Sequence, residues 1–243
     1  MKLTAHRGLS SKAPENTLAA FEYAVRYGAE WIEIDVQLSQ DGVPVVIHDQ
    51  TVNRCTNGSG NVAALTLSQL QKLDAGLWFD EQFRDERIPT LAETLMFAKR
   101  HRVKLNIELK VHEGDSAELL CQAVKRVIED VGAECDLLLF SSFETEALML
   151  MKHLLPDIRR GQLWQKVPGN ARDMLTELQA FSVHCDYRFL DEATAKWVKA
   201  AGYQLYCYTP NFPELVEQHW RWGVDMMITD VPQNYQHESC VQE

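Results

Sequence analysis

The sequence predicts an α/β protein built as a (β/α)8 TIM barrel, and three observations carry that expectation. Short β-rich runs alternate with amphipathic helical runs along the 243 residues, the order expected of βα units on a parallel sheet. A single barrel domain ordinarily takes about 250 residues. One stretch, residues 50–89, breaks the alternation and reads as a small insertion after the second βα region, inside a single domain spanning residues 1–243.

Strands are expected at Leu3–His6, Trp31–Gln37, Val43–His48, Lys104–Lys110, Asp136–Ser141, Arg159–Trp164, Ser182–Asp186, Gln204–Thr209 and Met226–Thr229. That is one more than a barrel needs. Asp41-Gly42 between the second and third runs is a hairpin turn signal, so the third run is read as an added β segment. Helices are expected where start and stop signals agree. Thr17–Tyr27 follows Asn16, a capping residue type, and ends at Gly28. Leu91–His101 begins with Thr90 and Glu93 spaced as a capping box. Ala117–Val131 ends at Gly132, Glu144–Leu154 before Pro156, Glu192–Ala201 at Gly202 and Pro213–Trp222 at Gly223.

The insertion holds the turn-rich Thr56-Asn57-Gly58-Ser59-Gly60 and the aromatics Trp78, Phe79 and Phe83. Aromatic residues argue against disorder, so the segment is expected to pack over one end of the barrel.

Composition excludes several classes. The net charge is −11 and no Lys/Arg-rich stripe is visible, which disfavours nucleic acid or an anionic membrane surface as partner. No run approaches the ~20 apolar residues of a membrane span, and Met1–His6 carries no leader signature, so a cytoplasmic protein without stable membrane insertion is expected. The six cysteines form no C-x-x-C pair and read mostly as small buried hydrophobes. The G-x-S-x-G and GxxxxGK[ST] signatures are both absent, which leaves serine-hydrolase and P-loop chemistry unsupported.

What remains is a set of polar residues on strand faces. Side chains alternate along a strand, so Glu33 and Asp35 share one face while Ile32, Ile34 and Val36 take the other. Two carboxylates inside a barrel are costly unless a hard cation or a salt bridge compensates them. The same alternation turns Asn106, Glu108 and Lys110 inward. Glu108 completes a three-carboxylate set or pairs with Lys110. His6 and His48 stand at the ends of two β runs, and barrel chemistry collects at the C-terminal ends of strands. Both are proton-transfer candidates, and Arg7 offers a planar fork for phosphate. His101, His112, His153, His184, His219 and His237 are assigned no chemistry. The set suits metal-assisted phosphoryl transfer.

These residues also resemble a known family. His6-Arg7-Gly8, Ala13-Pro14-Glu15-Asn16-Thr17, Glu33-Ile34-Asp35-Val36, Asp41-Gly42 and His48-Asp49 look like glycerophosphodiester phosphodiesterases of the compact bacterial type. The likeness continues through Arg54–Gly58, Pro89-Thr90-Leu91, Asn106–Lys110, Ser141-Ser142-Phe143, Gly223-Val224-Asp225 and Thr229-Asp230. The resemblance implies hydrolysis of glycerophosphodiesters, small molecules such as glycerophosphocholine and glycerophosphoethanolamine, to sn-glycerol 3-phosphate and an alcohol. It implies one divalent cation, Mg2+ or Ca2+, on Glu33, Asp35 and Glu108. His6 and His48 match the family's acid/base pair, and Arg7 and Lys110 its phosphate contacts. Where the family often reads W-T-V-N, this chain reads Tyr208-Thr209-Pro210-Asn211, which bears on the head group. Trp78, Phe79 and Tyr208 are candidates for the substrate pocket; packing of a subdomain explains the first two equally well. A lysophospholipase D or a cyclising phosphodiesterase acting on lysophospholipids is the alternative activity.

Overall fold

The computed structural model describes residues 2–235. Among them nine strands follow one another: β1 Lys2–His6, β2 Trp31–Leu38, β3 Pro44–Val46, β4 Lys104–Leu109, β5 Leu138–Ser142, β6 Arg159–Trp164, β7 Ser182–Asp186, β8 Gln204–Tyr208 and β9 Met226–Thr229. Eight of them are parallel neighbours in the order β1, β9, β8, β7, β6, β5, β4, β2, and β1 pairs with β2 to close the ring. The fold is a (β/α)8 barrel.

β3 is the added segment. It pairs antiparallel with Val36–Leu38 at the upper end of β2, while β1 pairs along Trp31–Glu33 lower down. It is shorter than the expected Val43–His48, because only Val46↔Val36, Val45↔Gln37 and Pro44↔Leu38 stay in register. His48 therefore lies beyond the strand.

The helices are α1 Leu18–Arg26, α2 Leu67–Leu70, α3 Leu91–His101, α4 Ala117–Val131, α5 Thr145–Leu154, α6 Ala171–Leu178, α7 Glu192–Ala200 and α8 Glu217–Trp222. The Thr90/Glu93 capping box forms as the spacing predicts, and Gly132 and Gly223 close α4 and α8 in the left-handed conformation. Three expectations change. The N-cap of α1 is Thr17, whose side chain accepts from Ala20 N, not Asn16. Residues 213–222 split into a 3-10 turn at Pro213–Val216 and α8. α6 was not expected at all; Asn170 ahead of it makes no side-chain cap.

Alternation sorts the strand residues. Ile32, Ile34, Val36, Leu105, Ile107, Leu109 and Phe140 point outward to one hydrophobic layer with α1, α3, α4 and α5. Val183, Cys185, Leu205, Cys207 and Met227 do the same against α6 and α7. Inside the ring, Trp31, Leu139, Tyr206, Met226 and Ile228 plug the lower lumen. Cys55, Cys121, Cys185 and Cys207 are buried and Cys135 is exposed; Cys240 and His237 lie outside the described residues.

The insertion has a small core of its own, with Val52, Val62, Leu70, Ala75 and Ile88 packed on Val45 and Ile47. Asp74 braces it by accepting from the backbone N–H groups of Gly76, Leu77 and Asp85. No helix among the described residues is long and apolar enough to cross a membrane.

Candidate active site

After His6 the chain turns sharply, with Arg7 at φ +55° and Gly8 at φ +83°. A Cβ on Gly8 would fall 2.7 Å from Ala20, so glycine is what lets this turn press against α1. The turn aims the Arg7 backbone N–H at Glu33 Oε2, 3.1 Å away. Asn16, at φ +57°, donates from Nδ2 to Asp35 Oδ2 at 2.8 Å and accepts from the Asp35 backbone N–H at 3.3 Å. Its side chain is committed to the site, and the cap falls to its neighbour.

β2 and β4 are aligned so that Glu33 faces Asn106 and Asp35 faces Glu108. One carboxylate oxygen each from Glu33, Asp35 and Glu108 lies within 4.8 Å of the others. Lys110 Nζ donates to Glu108 Oε1 at 2.8 Å and stands 3.6 Å from Asp35 Oδ1. Arg7 Nε is 3.2 Å from Asp35 Oδ2, and its Nη1 donates to Glu15 Oε1 at 2.8 Å. Both readings of Glu108 thus hold at once: it meets the acids and the lysine.

Burial sets the charge states. It raises Glu33 well above the ordinary carboxylate value, and the neighbouring Asp35 and Glu108 push the same way. Burial also opposes ionisation of Asp35, but Arg7 and Lys110 outweigh it and hold Asp35 below its usual value. Glu108 stays raised by burial, with Lys110 offsetting part of the shift. Glu33 Oε1 and Asp35 Oδ1 are buried without a hydrogen-bond partner. Leaving such oxygens unpaired costs on the order of 1–3 kcal/mol each. A triad of hard oxygen donors with free lone pairs fits a hard divalent cation.

The two imidazoles face this triad from different sides. His6 Nδ1 is 2.6 Å from Asp230 Oδ1, and its Nε2 is 3.8 Å from Glu33 Oε2. Asp230 also accepts from Ser10 Oγ and Asn211 Nδ2. Burial opposes its ionisation, but the hydrogen bonds from His6, Asn211 and Ser10 hold its pKa low. His48 Nδ1 is 2.7 Å from Asp49 Oδ1. Arg54 grips Asp49 and Glu15 with two hydrogen bonds each, which holds the Asp49 pKa low. An ionised carboxylate only accepts, so Nδ1 of each ring carries a proton toward its carboxylate, and Nε2 is the atom left to take a proton or, once protonated, to give one. Burial lowers the pKa of His48 below its ordinary value, and Arg7 and Lys110 add to that against the pull of Asp35 and Asp49.

His6, Arg7, Glu33, His48, Glu108 and Lys110 line one cavity of about 120 Å³ with Asn106, Ser141, Phe143, Leu163, Tyr208, Thr209 and Ile228, while Asp35 is fully buried beside Glu33 and Glu108. The side chain of Tyr208 is fixed by its hydroxyl, which donates to Trp164 O at 2.9 Å. Trp78 and Phe79 do not line the cavity, which corrects that expectation. Phe79 stacks edge-on between Trp78 and Phe83, and Phe83 meets Tyr23 of α1, so the aromatic cluster glues the insertion to the barrel's flank. A larger cavity of about 230 Å³ lies toward the starts of β1 and β2, lined by Lys2, Glu30, Trp31 and Pro232 among others. Among the described residues, Lys2 and Glu30 are its only charged lining groups, and no acid/base pair converges there.

Asp230, Asp49, Glu15, Asn16 and Arg54 emerged as positioning groups that the strand-face argument had not assigned. Asp230 was within its reach. Met226, Ile228 and Asp230 continue one alternation, which puts an acid at the end of the last strand.

A sequence model of the glycerophosphoryl diester phosphodiesterase family matches residues 6–234. The chain is 38% identical to a glycerophosphodiester phosphodiesterase of Caldanaerobacter subterraneus subsp. tengcongensis, over 94% of this chain and 93% of that one. It is 34% identical to a glycerophosphodiester phosphodiesterase of Bacillus altitudinis, over 95% of each. An Oleispira antarctica phosphodiesterase solved with its product sn-glycerol-3-phosphate superposes with a TM-score of 0.94 at 38% identity, covering 98% of this chain and 96% of that one. Family model, sequence and structure agree across nearly the full length, and the chain belongs to the glycerophosphoryl diester phosphodiesterase family and is an enzyme of that class.

Proposed function

We propose that this enzyme hydrolyses glycerophosphodiesters such as glycerophosphocholine and glycerophosphoethanolamine to sn-glycerol 3-phosphate and the free alcohol, with one divalent cation, Mg2+ or Ca2+, held by Glu33, Asp35 and Glu108. One observation carries the reading: two imidazoles, each backed by a carboxylate on Nδ1, line one cavity with Glu33 and Glu108, the two acids that cluster with Asp35. When bound, the cation supplies positive charge for the phosphate and the glycerol oxygens.

The side chains do the rest. One Nε2 takes the proton of the glycerol C2 hydroxyl as that oxygen attacks phosphorus. The other imidazole gives a proton to the departing alcohol oxygen. Arg7 and Lys110 face the phosphate oxygens and counter their growing charge. Water then opens the five-membered cyclic phosphate with the proton roles reversed. Tyr208 walls the alcohol side of the cavity. The same reading places the enzyme in the cytoplasm, in lipid and glycerol metabolism; cell fractionation tests the location.

Phosphorus NMR of purified protein with glycerophosphocholine tests the reaction. Glycerol 3-phosphate should accumulate with Mg2+ or Ca2+ and cease on adding chelator. Glu33→Gln with Asp35→Asn should abolish turnover in a folded protein. Turnover undiminished by chelator would remove the cation, and a cyclic phosphate as the final product would make the enzyme a cyclising lyase.

A further inference from the structure

A third imidazole lies inside the barrel, and the proposed chemistry leaves it unused. His184 is wholly buried on β7, with Leu163 of β6 and Tyr206 of β8 as its register partners. Leu163 and Tyr208 line the catalytic cavity, and Tyr206 stands two residues before Tyr208, so His184 sits one layer below the mouth. Its surroundings are shaped to it. The ring packs against Tyr206 with centroids 4.8 Å apart. On β6 the facing residue is Gly161, where a Cβ would fall 2.4 Å from His184 Nε2 and 2.5 Å from Ser182 Oγ. Glycine is what leaves room for the ring.

His6 and His48 each have a carboxylate on Nδ1. His184 has none. Its Nε2 is 2.9 Å from Ser182 Oγ, and its Nδ1 is buried without a hydrogen-bond partner. A protonated imidazole carries two N–H donors. The Ser182 hydroxyl can accept one of them, and the other would be left buried and unmade, at a cost. The titratable group facing the ring is the Tyr206 phenol, which burial pushes up to about 12, so it stays neutral and offers no counter-charge. No charged side chain among the described residues acts on the ring; burial alone lowers its pKa from 6.5 to about 3.

We infer that His184 is an acid-sensitive latch inside the barrel: neutral, it wedges β6, β7 and β8 together beneath the active site, and protonated, it has to leave the lumen, so acid opens the barrel at that seam. The sign follows from linkage. In the unfolded chain the same ring takes up its proton near pH ~6.5. Above that pH both states hold it neutral and the latch is at full strength. From there down to about pH 3 the unfolded state binds a proton that the folded state refuses, and stability falls as pH falls.

Urea melts of the full chain at about pH 6.5 and about pH 4.5, for wild type and His184→Gln, test the latch. Over that interval the unfolded ring goes from half to fully protonated, so the wild-type folding constant should fall about 50-fold further than that of the variant. His48 and the carboxylates titrate in both proteins alike and cancel in the comparison. Falls that agree within about 3-fold would overturn the inference. Should the variant fail to fold, proton NMR of the wild type decides alone. The His184 ring resonances should show no titration in the folded protein above about pH 4.5, where a free imidazole is already charged; a midpoint above that pH would overturn the latch. Neither measurement uses substrate, so failure here leaves the proposed hydrolysis standing, and failure of that hydrolysis leaves the latch.

Discussion

The two imidazoles of the cavity are held alike at Nδ1 but by regions of very different build. His6 sits on the barrel's closing seam, where β1 meets β9, and its partner Asp230 is tied to Ser10 and Asn211. His48 sits beyond a three-residue strand, and its partner Asp49 is tied to Arg54, which is itself 45% exposed at the side chain. The sheet fixes the first imidazole; a chain of charges running Glu15, Arg54, Asp49 fixes the second. Rigidity at the seam comes from backbone pairing, which salt does not weaken. Positioning at His48 comes from part-exposed ion pairs, which are screened.

The largest effect comes from removing either ring. His6→Ala and His48→Ala should each lower kcat by roughly 10²–10⁴-fold, measured on glycerophosphocholine with circular dichroism confirming the fold. Repeating the assay with a nitrophenol leaving group, which departs without a proton, should restore the variant that lost the acid and not the one that lost the base. Equal recovery of both would break the division of labour.

The carboxylates come next. Asp230→Asn should cost about 100-fold and Asp49→Asn about 10-fold in kcat, the range of a ligand-orienting partner, because Asp230 also organises Ser10 and Asn211. A reversed order would contradict the contrast between seam and loop. The pH profile separates them further. If His48 acts from its neutral form, activity falls on the acid side as that ring gains its proton. Asp49 raises the His48 pKa, so removing its charge should lower that pKa and carry the acid limb of kcat/KM to lower pH. A limb that moves upward would remove His48 from the base role.

Arg54→Ala is milder, roughly 2- to 5-fold in kcat/KM for part-exposed pairs, and 1 M salt should mimic it in the unaltered enzyme. The smallest effect is Trp78→Ala. Its ring is outside the cavity, so kcat should stay within about 2-fold while stability falls by about 1 kcal/mol for the lost edge-to-face contact; denaturant melts check both.

Barrel topology was legible because alternation and punctuation agree along the chain. The same period-2 argument placed Glu33, Asp35 and Glu108 on one inner face before any coordinates. It faltered where partners are distant in sequence. Asn16 looks like a cap by type, yet its amide is spent on Asp35, 19 residues on. Trp78 and Phe79 looked like pocket walls because aromatics near a barrel mouth serve either purpose, and only the contact with Tyr23 decides it. α6 escaped notice because its ends carry no punctuation: Asn170 makes no side-chain cap, and the left-handed stop falls on Gln179 instead of a glycine.

β2 gives its lower edge to β1 and its upper edge to β3, and the insertion's two ends are bridged where Val45 meets Thr90 and Val46 N–H meets Pro89 O. Departure and return share one doorway. The stretch between Asp49 and Pro89 therefore leaves and rejoins the barrel at one place, held down by its core on Val45 and Ile47 and by Phe83 on Tyr23. Arg54 ties it to the catalytic mouth through Asp49 and Glu15, so a graft that keeps a guanidinium at that spot keeps a brace for His48.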